Sequence, residues 1–246
     1  MSDRPNVSPF VAVLLALGLA VCGWFVGNGF VTARTVDRYV TVKGVAERDV
    51  SADLALWPLQ VVATSNDLRS AQTDVNQSVD KILTFLDRHG VDTTGVDLQG
   101  LEVTDRLANR YGGDQGGAQT RFIVQQAIMV RSDDPETVAA AGQQVGELVE
   151  AGVVLSSGTG FGPAQPTFLF TRLNDVKPEM IAEATASARE AAEQFAADSN
   201  SRVGGIRRAS QGVFQILPRD QAPGITETSQ LHKSVRVVST IDYYLE

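Results

Sequence analysis

The chain has 246 residues, a formal net charge of −8, two histidines and one cysteine. That acidic balance, with a pI of about 4.8, leaves no basic footprint for phosphate backbones, so it argues against nucleic acid as a partner and against electrostatic adhesion to anionic lipid. A single cysteine excludes an intramolecular disulfide, and so few Cys and His residues do not make a zinc site.

Residues 1–9 read as a short N-terminal tail. No charge occurs from Pro5 to Ala33, and residues 10–33 form an apolar run long enough for a helix to cross a bilayer, which predicts a transmembrane signal-anchor. A lipoprotein signal fits poorly, because Val21 rather than a small residue precedes Cys22. Cleavage after Val31-Thr32-Ala33 satisfies residue size, but the run exceeds the 7–15 residues usual for a signal-peptide core, so a retained anchor is expected. Trp24 and Phe25 suit an interface, and Gly18, Gly23, Gly27 and Gly29 permit close helix contact. Arg34, Arg38, Lys43 and Arg48 outnumber Arg4 across the run, which by charge count alone keeps the following domain cytoplasmic; long domains translocate largely regardless of charge.

Residues 34–246 suffice for a sizeable core. Tyr39–Val45 alternates as a strand, with Gly44 as a bulge or a point of close approach. A second strand covers Leu54–Thr64; Pro58 within it cannot donate to a ladder, which predicts an edge strand or a bulge. Leu68, Ala71, Val75, Val79, Ile82, Leu83 and Leu86 then recur at helical spacing, with Asn66 or Asp67 as N-cap and Gly90 past the end.

Leu98–Arg106 and Thr120–Arg131 are further strands around a glycine-rich tip, Gly112–Gly117. Asp134 caps a second helix with Pro135 at its first position, Val138, Ala141, Val145, Leu148 and Val149 as its stripe, and Gly152 as its stop. A loop from Ser156 to Pro163 leads to a strand at Pro166–Arg172. The third helix, Pro178–Ala197, places Ile181, Ala184, Ala188, Ala192 and Phe195 on one face, and its alanines let a backbone lie close. Gly204-Gly205 ends that region. Two last strands, Ile206–Leu217 and Ser234–Leu245, flank the polar segment Arg219–His232. The order ββα, ββα, βα, ββ predicts an α+β fold with a mostly antiparallel sheet and three amphipathic helices after the transmembrane helix.

Chemistry has few footholds. His89 sits in a last helical turn, where it suits capping, and His232 in an exposed polar stretch. Asp133 with Asp134, and Asp92 with Asp97, lie where Asp caps and bends the chain rather than where it binds a cation. Gly158-Thr159-Gly160-Phe161-Gly162 runs into Pro163 and a strand with no lysine near, unlike a phosphate loop. Phe168, Phe170, Tyr243 and Tyr244 read as core, or as the wall of an apolar cleft. No catalytic, cofactor-binding or metal residue is assigned.

Tyr39-Val40-Thr41-Val42-Lys43-Gly44-Val45-Ala46-Glu47 and Ala52-Asp53-Leu54-Ala55 resemble the opening of the SIMPL domain, the DUF541 group. Tyr111 ahead of the glycine tip, the strand Phe122–Val130, and the alanine-rich third helix running into Gly204-Gly205 match the same pattern. The resemblance spans about Tyr39 to the end and carries no catalytic motif. It implies an extracytoplasmic α+β protein without known enzymatic chemistry, in a bacterial group that includes periplasmic immunogenic and oxidative-stress defence proteins. Members can form ring-like or channel-like oligomers, and most carry a cleavable signal peptide. The longer apolar segment here sets the chain apart.

Residues 34–246 are therefore expected as a SIMPL-like extracytoplasmic domain, in the periplasm and held by one pass through the bacterial inner membrane. The expected function is that of a non-catalytic envelope protein acting through self-association or an unknown protein partner, with a link to envelope or oxidative stress. The alternative is a small-ligand or lipid-binding module using the Phe168/Phe170 face. No cofactor is implied.

Overall fold

A computed structural model describes residues 9–35, 38–108, 120–156 and 165–246. Tyr111, Gly112–Gly117 and Gly158–Gly162, singled out above, lie outside them. The element order is α1 (Pro9–Thr35), β1 (Tyr39–Ser51), β2 (Leu54–Ser65), α2 (Leu68–Arg88), β3 (Val96–Asp105), β4 (Phe122–Ser132), α3 (Pro135–Gln143), α4 (Gly146–Glu150), β5 (Thr167–Leu169), α5 (Leu173–Asp198), β6 (Val203–Gln211), β7 (Gln215–Pro218) and β8 (His232–Leu245). The fold is α+β with antiparallel sheets behind an N-terminal apolar helix, as the patterning predicts.

The chain packs as two compact units. The larger comprises Glu47–Met180 and Phe214–Val237. Its sheet has the order β3-β4-β2-β5, and α2 covers one face. Trp57, Leu59 and Val61 of β2 and Val124, Ile128 and Val130 of β4 meet Ile82, Phe85 and Leu86 of α2 in one buried cluster. The Trp57 and Phe85 rings stand edge to face, 6.5 Å apart. α2 forms because its apolar spacing gives one continuous stripe and because the Asp67 carboxylate accepts the Ser70 amide at its start. It stops at Gly90, whose φ of 75° lets the Val91 amide reach back to the Leu86 carbonyl. Asn66, the other cap candidate, accepts the Arg121 amide instead.

The expected second helix is two helices. Asp134 caps α3 through the Thr137 amide, with Pro135 in the first turn, but at Gln144 the bonding tightens to three-residue steps, Gln144 to Ala141, Glu147 to Gln144 and Leu148 to Val145. Gly142 and Gly146 flank this break and weaken helix propagation through it. Val149, expected in the apolar stripe, is consequently exposed. Among the described residues four helices, not three, thus follow α1.

β2 is an interior strand rather than an edge. It pairs with β4 along its whole length and with β5 only at Leu54–Leu56, while Val62 and Gln60 bond Val154 and Ser156 further on. Pro58 falls in the gap between those two stretches, with its nitrogen turned away from β4, so its missing donor breaks no ladder bond. β5 itself is three residues long, not seven.

The smaller unit comprises the chain up to Ala46 with Ile181–Val213 and Val238–Glu246. It holds β6 and parts of β1 and β8, strands of a four-stranded sheet with the order β1-β8-β6 and β7 beside β8. Val42, Ile241 and Tyr243 pack on Ala188 and Ala192 of α5. Gly44 is a point of close approach, as expected: a Cβ there would overlap the Ala184 carbonyl oxygen. The buried stripe of α5 is Met180, Ala184, Ala188, Ala192 and Ala196, a strict four-residue repeat that leaves Phe195 exposed, contrary to the expected face. α5 also begins at Leu173 rather than Pro178. The Asp53 carboxylate accepts the Thr171 and Arg172 amides and the Thr171 hydroxyl, organising the approach to the helix from 118 residues away in the chain. Pro178 then sits in an exposed turn where water can serve the Asn174 carbonyl.

The strand expected over Ile206–Leu217 is interrupted. β6 pairs with the Ser239–Leu245 part of β8 and β7 with the Lys233–Arg236 part, and residues 212–214 loop between them.

Candidate interaction surface and membrane anchor

α1 is apolar along its length. Residues 13–30 reach a mean hydropathy of 1.9, with none of that window buried, so the helix has the length and composition of a membrane span or a signal sequence. At 27 residues it is about 40 Å long at 1.5 Å per residue. Gly18, Gly23, Gly27 and Gly29 have no atom within 4 Å of a would-be Cβ, and Cys22 is exposed.

The polar candidates occupy structural posts. His89 ends α2: its amide donates to the Phe85 carbonyl, its ring packs on Phe85 at 4.5 Å, and its Nε2 lies 3.2 Å from a Glu147 carboxylate oxygen that Arg88 also approaches. The pairing with Glu147 ties α2 to α4 beside a cleft of about 220 Å³ lined by Asp80, Lys81, Phe85, Arg88, Glu147 and Leu148. His232 is the first residue of β8, exposed, with Nδ1 3.2 Å from the Ser51 hydroxyl.

Asp92 and Asp134 each accept an amide and a hydroxyl, from Thr94 and Thr137 respectively, and the hydroxyls lead in holding both carboxyls below the ordinary aspartate range. The two caps and Asp133 border a polar cleft of about 500 Å³ together with Arg131. Asp97 is an exposed β3 residue, away from that cleft lining. Among the described residues no group of three His, Cys, Asp or Glu side chains is placed to hold a metal. Phe168 packs into the core of the larger unit and Tyr243 into that of the smaller.

In the larger unit, β3 carries an exposed apolar row. It pairs with β4 on one side only, as the end strand of its sheet. Val96, Leu98, Leu101 and Val103 stand opposite Val130, Ile128, Gln126 and Val124, on the same face as the core. Yet Leu98, Leu101 and Val103 are 59%, 52% and 46% exposed, because this row lies beyond the cover of α2. Leu107, just past the strand, is also exposed, at 77%. Asp105 receives two bonds from the Arg121 guanidinium, which lowers the Asp105 pKa and raises that of Arg121. The alternation of Leu98-Gln99-Gly100-Leu101-Glu102-Val103 shows a half-buried strand; its place at the sheet end is set by chain topology that no local pattern carries.

The described chain comprises two compact α+β units and an N-terminal apolar helix, and its His89, Asp92 and Asp134 side chains cap or tie helices. The SIMPL family model, a protein of unknown function (DUF541), matches residues 40–238, and the chain belongs to that family. A comparison with curated proteins finds no match.

Proposed function

We propose that this chain is a membrane-anchored, non-catalytic envelope protein, held by α1 in a single pass through the bacterial inner membrane with residues 34–246 in the periplasm. It works by self-association or by binding a protein partner, in a setting of envelope or oxidative stress. The observation that carries this reading is α1 itself: a 27-residue helix without a charged side chain before Arg34 whose apolar surface is uncovered, which is stable in lipid and costly in water. The open β3 row supports association, since exposed apolar strand edges are natural pairing surfaces. Strand β2, expected to be an edge strand or bulged, is interior, and β3 is an end strand of that sheet.

The test uses the full chain extracted in mild detergent, with its mass read by size-exclusion chromatography and light scattering. The expected result is a protein mass that is a multiple of 26.3 kDa, or a stoichiometric partner recovered by crosslinking in cells. A strict monomer at high concentration with no crosslinked partner contradicts the reading.

A further inference from the structure

Natural sheets protect their ends with short strands, Pro or Lys. The larger unit's sheet does so at β5, three residues long and preceded by Pro166, whereas β3 is ten residues long with neither Pro nor Lys and carries a bulge at Gly100 and acidic side chains instead. The two faces of β3 differ in chemistry. Leu98, Leu101 and Val103 line the helix side, whereas Asp97 and Glu102, opposite Met129 and Gln125, line the other.

A matching end strand exists in the smaller unit. β6 is nine residues long, ends its sheet, also lacks Pro and Lys, and is exposed from Gly205 to Gln211. Ile206 stands opposite the buried Tyr243, hence on the side of α5, and is itself open to solvent. A register shift between Ile206 and Arg208 then turns Arg208 to the other face, opposite Asp242, where Arg207 lies over the Tyr39 ring at 4.1 Å. β6 is thus apolar toward its helix and basic away from it.

We propose that β3 of one copy adds to the edge of β6 of a second copy, so that one sheet continues from chain to chain. The inference rests on the self-association reading above and assigns its surface. Leu98, Leu101 and Val103 meet Ile206 on the helix side, while Asp97 and Glu102 meet Arg208 on the other. Charge selects this pairing over its rivals. β3 against β3 opposes carboxylates, β6 against β6 opposes guanidinium groups, and β1, the other end of the sheet that holds β6, balances Lys43 and Arg48 with Glu47 and Asp49 along its whole length. The contact joins two different surfaces, so each copy keeps a free β3 or β6 for the next one.

Charge reversal in the full chain in detergent tests the pairing. Glu102→Arg and Arg208→Glu each weaken self-association by roughly tenfold or more, as like charges now face each other. An equimolar mixture of the two variants regains it, because each altered strand meets its complement. Loss without recovery on mixing overturns the proposal. So does association unchanged in both single variants, which leaves self-association standing on another surface. A monomeric wild type removes this proposal and the reading beneath it together.

Cysteine pairing supplies a second measurement that needs no charge change. Chains carrying Leu101→Cys and chains carrying Ile206→Cys, both in a Cys22→Ser background, are mixed and oxidised. A disulfide joining the two kinds of chain supports the pairing, and its absence in a sample that still self-associates overturns it.

Discussion

Gly44→Ala probes the contact on which the smaller unit depends. A Cβ at position 44 would overlap the Ala184 carbonyl oxygen and stand 2.5 Å from the Ala188 amide nitrogen and 2.8 Å from the Ala188 Cβ. Carbon atoms pack at about 3.5–4.0 Å, so α5 must retreat from β1 by on the order of 1 Å. Two of the three obstructing atoms are backbone, so no rotamer change relieves the overlap. The retreat opens the packing of Ala184, Ala188 and Ala192, all fully buried and too short to bridge a gap.

Overpacking costs typically 1–3 kcal/mol, and a backbone clash belongs at the upper end, about 3 kcal/mol. For a chain of this size that lowers Tm by about 6–12 °C at 2–4 °C per kcal/mol. Thermal unfolding followed by circular dichroism reads the shift. Gly205→Ala, in the same unit, meets no atom within 4 Å and is expected to unfold at or slightly above the wild-type temperature. Adding Ala188→Gly to Gly44→Ala does not restore stability, since the clash with the Ala184 carbonyl remains. A Gly44→Ala chain as stable as wild type, or one rescued by Ala188→Gly, refutes the close-packing argument.

Three further outcomes follow from the same coordinates. Tyr243 is fully buried with a hydroxyl that has no hydrogen-bond partner among the described residues; Tyr243→Phe is therefore neutral or stabilising by about 1 kcal/mol, and a loss of that size in denaturant unfolding would reveal a bonded hydroxyl. The Lys233 ammonium is fully buried and held by the Glu227 carboxylate and carbonyl, while Glu227 keeps partial access to water. Glu227→Ala, which strands the buried cation, thus costs about 3 kcal/mol against about 1 kcal/mol for Lys233→Met, and the reverse order would contradict this account. Asp92, Asp105 and Asp134 have pKa values below the ordinary 3.8, so the stability they contribute is complete above that value and is lost as pH falls through their lower folded values. Unfolding monitored from pH 5 downward shows this loss below about pH 4, with a smaller drop for Asp105→Asn; stability that rises on acidification is the opposite result.

Local signals were legible where their cause was local. Asp67 and Asp134 appear as caps because a carboxylate needs only the amides two or three residues on, and Gly44 with the α5 alanines announces close approach through missing side-chain volume. What escaped depends on distant partners. The early start of α5 is organised by Asp53, the tolerance of Pro58 inside β2 depends on where β5 ends, and the burial of Lys233 depends on its pairing with Glu227. The exposure of β3 is of the same kind: its alternation is that of a half-buried strand, and only the reach of α2 decides that its apolar row stays open. His89, Asp92 and Asp134, read from the sequence as capping residues, hold capping or pairing roles.

Paired C-terminal fusions to alkaline phosphatase and to a fluorescent protein that matures only in the cytoplasm, combined with carbonate extraction of membranes and the intact mass of the mature chain, test the anchoring claim directly. The account predicts active phosphatase, dark fluorescent protein, a carbonate-resistant membrane fraction and an N-terminus that still carries α1. A chain trimmed near Ala33 and recovered in soluble form, or a fluorescent fusion with inactive phosphatase, contradicts it.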